Sequence, residues 1–314
     1  MPTTKQIIAK ERKALMKLMD KGEFAIPSRE VDVNLLIASW NIAQFSNTKT
    51  NRAIQYIADI CERFDIIAIQ EVKTDLRGLA RLQNKLPGNY KILVCDPTGN
   101  HERMAFLYDK RTVMTTGLVC EIGFSGSLKD PIAFQFNRMP YCASFRAGRF
   151  DFVMASVHIA EASKLGEDGL ALREKEIETL VKFVKRRSKQ EGTKVFDRDF
   201  MIVGDFNIQK DGDRFFKALT EGKKPRFFMP PGMKNLKTNF LRTKTYDKIA
   251  WLPRKGFVCE DRFNVVPYGK VLYKEPGQSK KAASKAVSDH LPIWVELKIN
   301  KLTQELSQIL NPGA

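Results

Sequence analysis

Imidazole and paired thiols are scarce in this chain of 314 residues, and long apolar runs are absent. The five cysteines (Cys61, Cys95, Cys120, Cys142, Cys259) are scattered, odd in number and without CxxC spacing, which argues against a zinc cage and against a disulfide framework. No stretch approaches the ~18 consecutive apolar residues of a membrane span. No internal repeat and no Pro-rich linker divides the chain. The N-terminal "MPTTKQIIAKERKALMKLMDKGEF" is too charged for an export signal. Together with the cysteine usage, that makes a cytoplasmic or otherwise intracellular setting the expectation, and a bacterial source fits it.

Positive charge is abundant. The formal net charge is +17, from 53 Lys and Arg against 36 Asp and Glu. Much of the excess lies in residues 221–248 and 269–290, two stretches rich in Gly, Pro or Ser that read as loops. Basic loops with interleaved aromatics suit a polyanion, although a solvated basic surface that aids solubility is the bland alternative. Ile7, Ile8, Leu15 and Leu18 recur at helical spacing and predict an amphipathic helix laid on the domain, with a membrane-surface helix as the rival. The expected organisation is a helical extension over 1–30, one domain over 31–300 and a tail over 301–314.

Strand-like runs recur along the domain: "VNLLIASW", "FDIIAIQEV", "YKILVC", "RMAFLYD", "PYCASFRAG", "FDFVMASVHI", "FMIVGDF", "KIAWL" and "LPIWVEL". Several are continuously apolar, as expected for strands covered on both faces. Helical stretches such as "KTNRAIQYIADICERF" and "GLALREKEIETLVKFVKRR" lie between them. This alternation predicts a single layered α/β domain.

Polar residues punctuate the strand ends. Asn41 follows "LLIASW", Glu71 follows "IIAIQ", His158 follows "VMASV", Asp205 and Asn207 follow "MIVG", and Asp289 and His290 precede "LPIWVEL". Taken singly, Asn41 and Asn207 read as turn residues and Asp205 as a cap. Burying such groups apart would cost a few kcal/mol each, and gathering them on one rim removes that cost. The chain has only three histidines, and two of them are in this set; His101 reads as a surface residue. Imidazoles oriented by carboxylates suit phosphate chemistry, and carboxylates such as Glu71 and Asp289 suit Mg²⁺ or Ca²⁺.

"SWNIAQF", "IIAIQEV", "SVHIA", "GDFNI", "TYDKIAW" and "SDHLPIWVEL" stand in an order that resembles the endonuclease/exonuclease/phosphatase superfamily over residues 31–299. "HERMAFLYD", "TYDKI" and "FNRMPYCASF" resemble its deoxyribonuclease I-like branch. The resemblance implies a four-layer α/β/β/α sandwich of two mixed sheets flanked by helices, and metal-dependent hydrolysis of a phosphodiester. It implies Mg²⁺ on Glu71, Asn41 and Asp289, together with Ca²⁺ or Mn²⁺. It further implies the pairs Glu102–His158 and Asp247–His290, Asp205 on the attacking water, and Asn207 on a phosphate oxygen. Arg138, Lys73, Lys244 and Lys248 are the expected phosphate or nucleic-acid contacts.

Departures from the branch are Ala43 where an Arg is usual, Asn100 where a groove-contacting Tyr is usual, and Lys73 in place of an Arg. They put the branch's minor-groove contacts in doubt. The leading expectation is a sequence-nonspecific DNA endonuclease acting on double-stranded DNA. The alternatives are a phosphatase or phospholipase of the same fold, acting on phosphoinositide or sphingomyelin, and a non-catalytic nucleic-acid-binding protein.

Overall fold

The computed structural model describes residues 3–123, 136–161, 166–189, 199–221, 227–252, 258–279, 281–300 and 309–310. Parts of both basic stretches (222–226 and 280) and most of the C-terminal tail lie outside the described residues.

Two mixed β-sheets are stacked face to face with helices outside them. The first has the order β10-β11-β1-β2-β4-β3, the second β5-β6-β7-β8-β9. In chain order, β1 is Asn34–Phe45, β2 Ile66–Lys73, β3 Tyr90–Val94, β4 Glu102–Asp109, β5 Met114–Glu121, β6 Tyr141–Ala147, β7 Phe150–His158, β8 Phe200–Asp205, β9 Asp247–Trp251, β10 Val258–Val265 and β11 Ile293–Lys298. Each sheet holds one parallel pair, β1–β2 and β7–β8, and every other pairing is antiparallel. A parallel pair needs a crossover connection, usually a helix. Here α2 (Asn51–Cys61) and α4 (Gly166–Lys189) supply the two crossovers.

The continuous apolar runs become the most enclosed strands. All six residues of β8 and the first nine of β1 are buried. One core lies between the sheets and under α1 (Thr4–Asp20) and α2, with Leu15 and Met19 of α1 fully covered. A second core lies between the other face of the β5–β9 sheet and α4, through Ile177, Leu180 and Val184. Thr3 caps α1 in a reciprocal box with Gln6, which settles where that helix begins. No helix among the described residues is long and apolar enough to cross a membrane.

Candidate active site

Both parallel pairs end at one rim of the sandwich, and the polar residues singled out by the sequence meet there. His158 closes β7, Asp205 closes β8 in register with it, and Asp247 opens β9 in register with Asp205. Gly204 makes this approach possible: its φ is +137°, and a Cβ there would stand 2.1 Å from the carbonyl oxygen of Val157. Only glycine tolerates both conditions.

On the first sheet, the β1–β2 and β2–β4 ladders shift register around Gln70 and Glu71. Glu71 has φ +60°, a left-handed backbone that is uncommon for a residue with a side chain. The irregularity turns its carboxylate into the rim. There Glu71 Oε1 accepts from Asn41 Nδ2 at 3.0 Å, and its Oε2 accepts from the backbone N–H of Gln44 at 2.9 Å.

Two histidine–carboxylate pairs flank Asp205. His158 Nδ1 lies 3.2 Å from Glu102 Oε2, and His290 Nδ1 lies 2.9 Å from Asp247 Oδ2. The Nε2 atoms of both histidines stand 3.7 Å from Asp205 Oδ2. Asp205 also accepts from Asn41 Nδ2 at 3.1 Å and from the backbone N–H of Asn207 at 2.8 Å. Burial pushes the Asp205 carboxyl up, but the charges of His290 and His158 and these donors outweigh it, and the net direction is down.

His290 is likewise disfavoured as a cation by burial, yet Asp247, Asp205 and Asp289 around it raise it to about 10. It is therefore a protonated donor at neutral pH. Glu102 is pushed up by burial and pulled down more strongly by His158, Arg138 and Lys73, which hold it at about 2. The contacts are Arg138 Nε at 2.7 Å and Lys73 Nζ at 3.1 Å. Arg138 and Lys73 thus brace the carboxylate behind His158.

The remaining expected residues are placed differently. Asn207 has φ +54° and donates its Nδ2 to the carbonyl of Ile159 at 2.8 Å, so it shapes the turn beside Asp205 as well as lining the rim. Asp289 is exposed, and its charge reaches His290 and Lys49. Lys244 is half-buried and donates to Gln209 at 3.0 Å. Lys248 departs from the expectation of a nucleic-acid contact. Its side chain is fully covered, with the ammonium 2.7 Å from Asp211 and 2.9 Å from the carbonyl of Lys234. Lysine can span an apolar layer with its stem, and here that reach ends inside the protein. His101 is exposed, as expected.

Several supporting residues gave no signal in the sequence. Thr238 donates to Asp247 Oδ2 at 2.6 Å, and Ser288 bonds the carbonyl of Asn41 at 2.6 Å. The carboxylate of Glu176 on α4 accepts from the N–H groups of Asn137 and Ala160, at 2.7 and 3.0 Å, pinning the segments next to Arg138 and His158. Lys49 buries its ammonium against the carbonyl of Val287 at 2.6 Å; burial lowers it to about 8 despite Glu71 and Asp289. Each is a common residue in a polar loop or on a helix, and only the tertiary fold brings it to the rim.

The donor set can be tested against a hard divalent cation. Asn41 Oδ1 is buried with no hydrogen-bond partner, and beside it the Glu71 carboxylate keeps partial exposure, at 16%. Oxygen donors of this kind fit Mg²⁺. Asp205, Asp247 and His290 also lie close enough to share an ion, with ligand atoms within 4.8 Å of one another. That trio keeps one buried oxygen without a partner, Asp247 Oδ1, but its imidazole is protonated and repels a cation, so the Asn41–Glu71 side fits one better.

A model of the Endonuclease/Exonuclease/phosphatase family matches residues 38–290. The chain belongs to this family. Human deoxyribonuclease-1 is 27% identical over 85% of this chain and 93% of its own length, so sequence similarity runs to the deoxyribonuclease I side of the family. Among solved structures, a mannosyl-6-phosphatase from Bacteroides thetaiotaomicron superposes with a TM-score of 0.59 at 18% identity, covering 84% of this chain and 99% of its own. Truncated TDP2 of Caenorhabditis elegans gives 0.57 at 15% identity, covering 84% and 97%. At these identities the structural neighbours speak for the fold.

Proposed function

We propose that the protein is a divalent-metal-dependent phosphodiesterase acting on DNA as a sequence-nonspecific endonuclease. The observation that carries this reading is the convergence of both histidines on Asp205, each 3.7 Å away and each backed by its own carboxylate. The similarity to deoxyribonuclease-1 over most of both chains supports the choice of substrate.

Asp205 is ionised and held by Asn41 and by the backbone of Asn207, so it orients a water molecule on the rim. A carboxylate whose pKa is lowered is a weaker proton acceptor, so orientation is the role assigned to it here. Protonated His290 donates to a phosphoryl oxygen or to the leaving oxygen, and Asp247 fixes its ring. His158, set by Glu102, presents its Nε2 to the phosphate from the other side. A divalent cation on Glu71 and Asn41, with Asp289 nearby, would supply charge neutralisation worth several kcal/mol in the transition state.

The test is incubation of supercoiled plasmid with purified protein and Mg²⁺, with EDTA and His290→Gln controls. Nicking that vanishes in both controls is expected. Plasmid left intact by folded, Mg²⁺-supplied protein that instead turns over phosphoinositides would move the substrate to the phosphatase reading.

A further inference from the structure

Two of the five cysteines become neighbours only in the folded chain. Cys120 on β5 stands directly opposite Cys142 on β6, in a ladder that runs on to a hydrogen bond from the N–H of Ile122 to the carbonyl of Pro140 at 2.8 Å. Opposed pairs in an antiparallel ladder alternate in kind, so Cys120 and Cys142 share the class of Ile122 and Pro140, two steps away. In that class Cα atoms are ~5.5 Å apart, inside the ~4.4–6.8 Å that a disulfide spans. Both thiols are free.

Their surroundings differ. Cys142 is buried in the outer core under α4, whereas Cys120 is partly exposed. A cavity of about 240 Å³, lined by Cys120, Cys142, Phe183, Arg187 and Phe200, opens beside the pair and has room for several small polar molecules. The neighbouring Cys142 thiol lowers the Cys120 thiol to about 7 and the charge of Arg187 adds to this, while burial and the charge of Glu121 oppose it. Cys142 is pushed well up by Cys120 and by burial. The enclosed thiols elsewhere are raised by burial, Cys95 to about 11 and Cys61 further.

We propose that Cys120 and Cys142 form a peroxide-sensitive dithiol, a modification site that closes to a disulfide between adjacent strands. The Cys120 thiolate attacks the O–O bond of a hydroperoxide, becoming a sulfenic acid and releasing hydroxide or alkoxide. The Cys142 sulfur then attacks the Cys120 sulfur, the S–S bond forms and the sulfenic oxygen leaves as water. Each hydrogen peroxide takes up two electrons and two thiol protons and yields two waters. A partly exposed, acidified thiol beside a resolving partner is the arrangement that favours this route. The pair lies on the α4 face of its sheet and takes no part in the proposed nuclease chemistry.

The test uses the full chain and hydrogen peroxide near neutral pH. Free thiols counted after denaturation should fall from five by two, with a product about 2 Da lighter. Peptide mapping should join the Cys120 and Cys142 peptides, and dithiothreitol should reverse the link. In Cys142→Ser, dimedone should trap Cys120 as sulfenic acid. In Cys120→Ser, loss of the Cys142 thiol should slow by at least about 10-fold. The proposal is overturned if Cys61, Cys95 or Cys259 disappears as fast as the pair, or if the wild-type map holds no 120–142 link. Mapping the wild type needs no variant, so a variant that fails to fold does not obscure the answer.

Discussion

One amide nitrogen of Asn41 joins two carboxylates, that of Glu71 at 3.0 Å and that of Asp205 at 3.1 Å, and leaves its own buried carbonyl oxygen without a hydrogen-bond partner. Two anions held this close are tolerated because cationic histidine faces them on one side and a cation fits on the other.

Asn41→Ala should therefore weaken the response to Mg²⁺ more than it weakens folding. Loss of a group that orients ligands typically costs about 10–100-fold in metal affinity or activity. A Mg²⁺ titration of plasmid nicking should show a rightward shift of that size. An unchanged midpoint would sever Asn41 from the metal.

His290→Gln and Asp247→Asn should each lower the nicking rate by roughly 10²–10⁴-fold, the range for a positioned acid or base. The double variant should lose little more than either single one, because the two act as a unit through a 2.9 Å contact. Rates that multiply would show that the residues act independently.

Glu102 predicts a stability profile in acid. Its carboxyl is held at about 2, below the ordinary 4.5, by His158, Arg138 and Lys73 against the opposing effect of burial. A depressed pKa contributes stability that is fully present above the unfolded value and is lost as pH falls through the folded one. Wild-type stability should drop between about pH 4.5 and 2 more steeply than that of Glu102→Gln, as read by denaturant midpoints at each pH. Parallel profiles would contradict the assigned ion pairs.

Lys244 and Lys248 should separate in behaviour. Removing covered Lys248 leaves Asp211 with an uncompensated charge and should cost about 3–5 kcal/mol of folding stability. Lys244→Ala should leave stability nearly unchanged and reduce the log–log salt slope of DNA binding by about 0.9 for each phosphate the lysine neutralises. An unchanged slope would remove Lys244 from the interface.

Gly204→Ala should destabilise the fold by about 1–3 kcal/mol or more through overpacking, since the added methyl meets the Val157 carbonyl at 2.1 Å. Thermal unfolding would read this directly.

Much of this arrangement was legible in the residues. Continuous apolar runs marked β1, β2 and β8, and the polar residues closing them marked the rim. Two strands gave no such mark. β5 is largely exposed on the edge of its sheet, with Thr115, Thr116 and Gly117 in place of an apolar run, and β10 carries the charged "EDR". Edge strands need less apolar content, and their periodicity fades accordingly. The histidine partners were legible only through resemblance, since nothing in local spacing ties Glu102 to His158 or Asp247 to His290. Lys248 was misplaced because charge alone does not reveal whether a lysine points outward. Ser288 reaches Asn41 across most of the chain, Glu176 reaches back to Asn137 and Ala160, and Thr238 reaches Asp247 across a loop, so no local pattern encodes them.

Asn41, Glu71 and Glu102 belong to the first sheet, and His290 leads into it; His158, Asp205 and Asp247 belong to the second. Each histidine is thus oriented by a carboxylate from the opposite sheet, and Asn41 reaches Asp205 the same way. The rim works like a caliper whose jaws are the two sheets. Mild denaturant or a trimmed residue in the core between them would open the jaws slightly and silence the site, while the strands and their circular dichroism stay as they were.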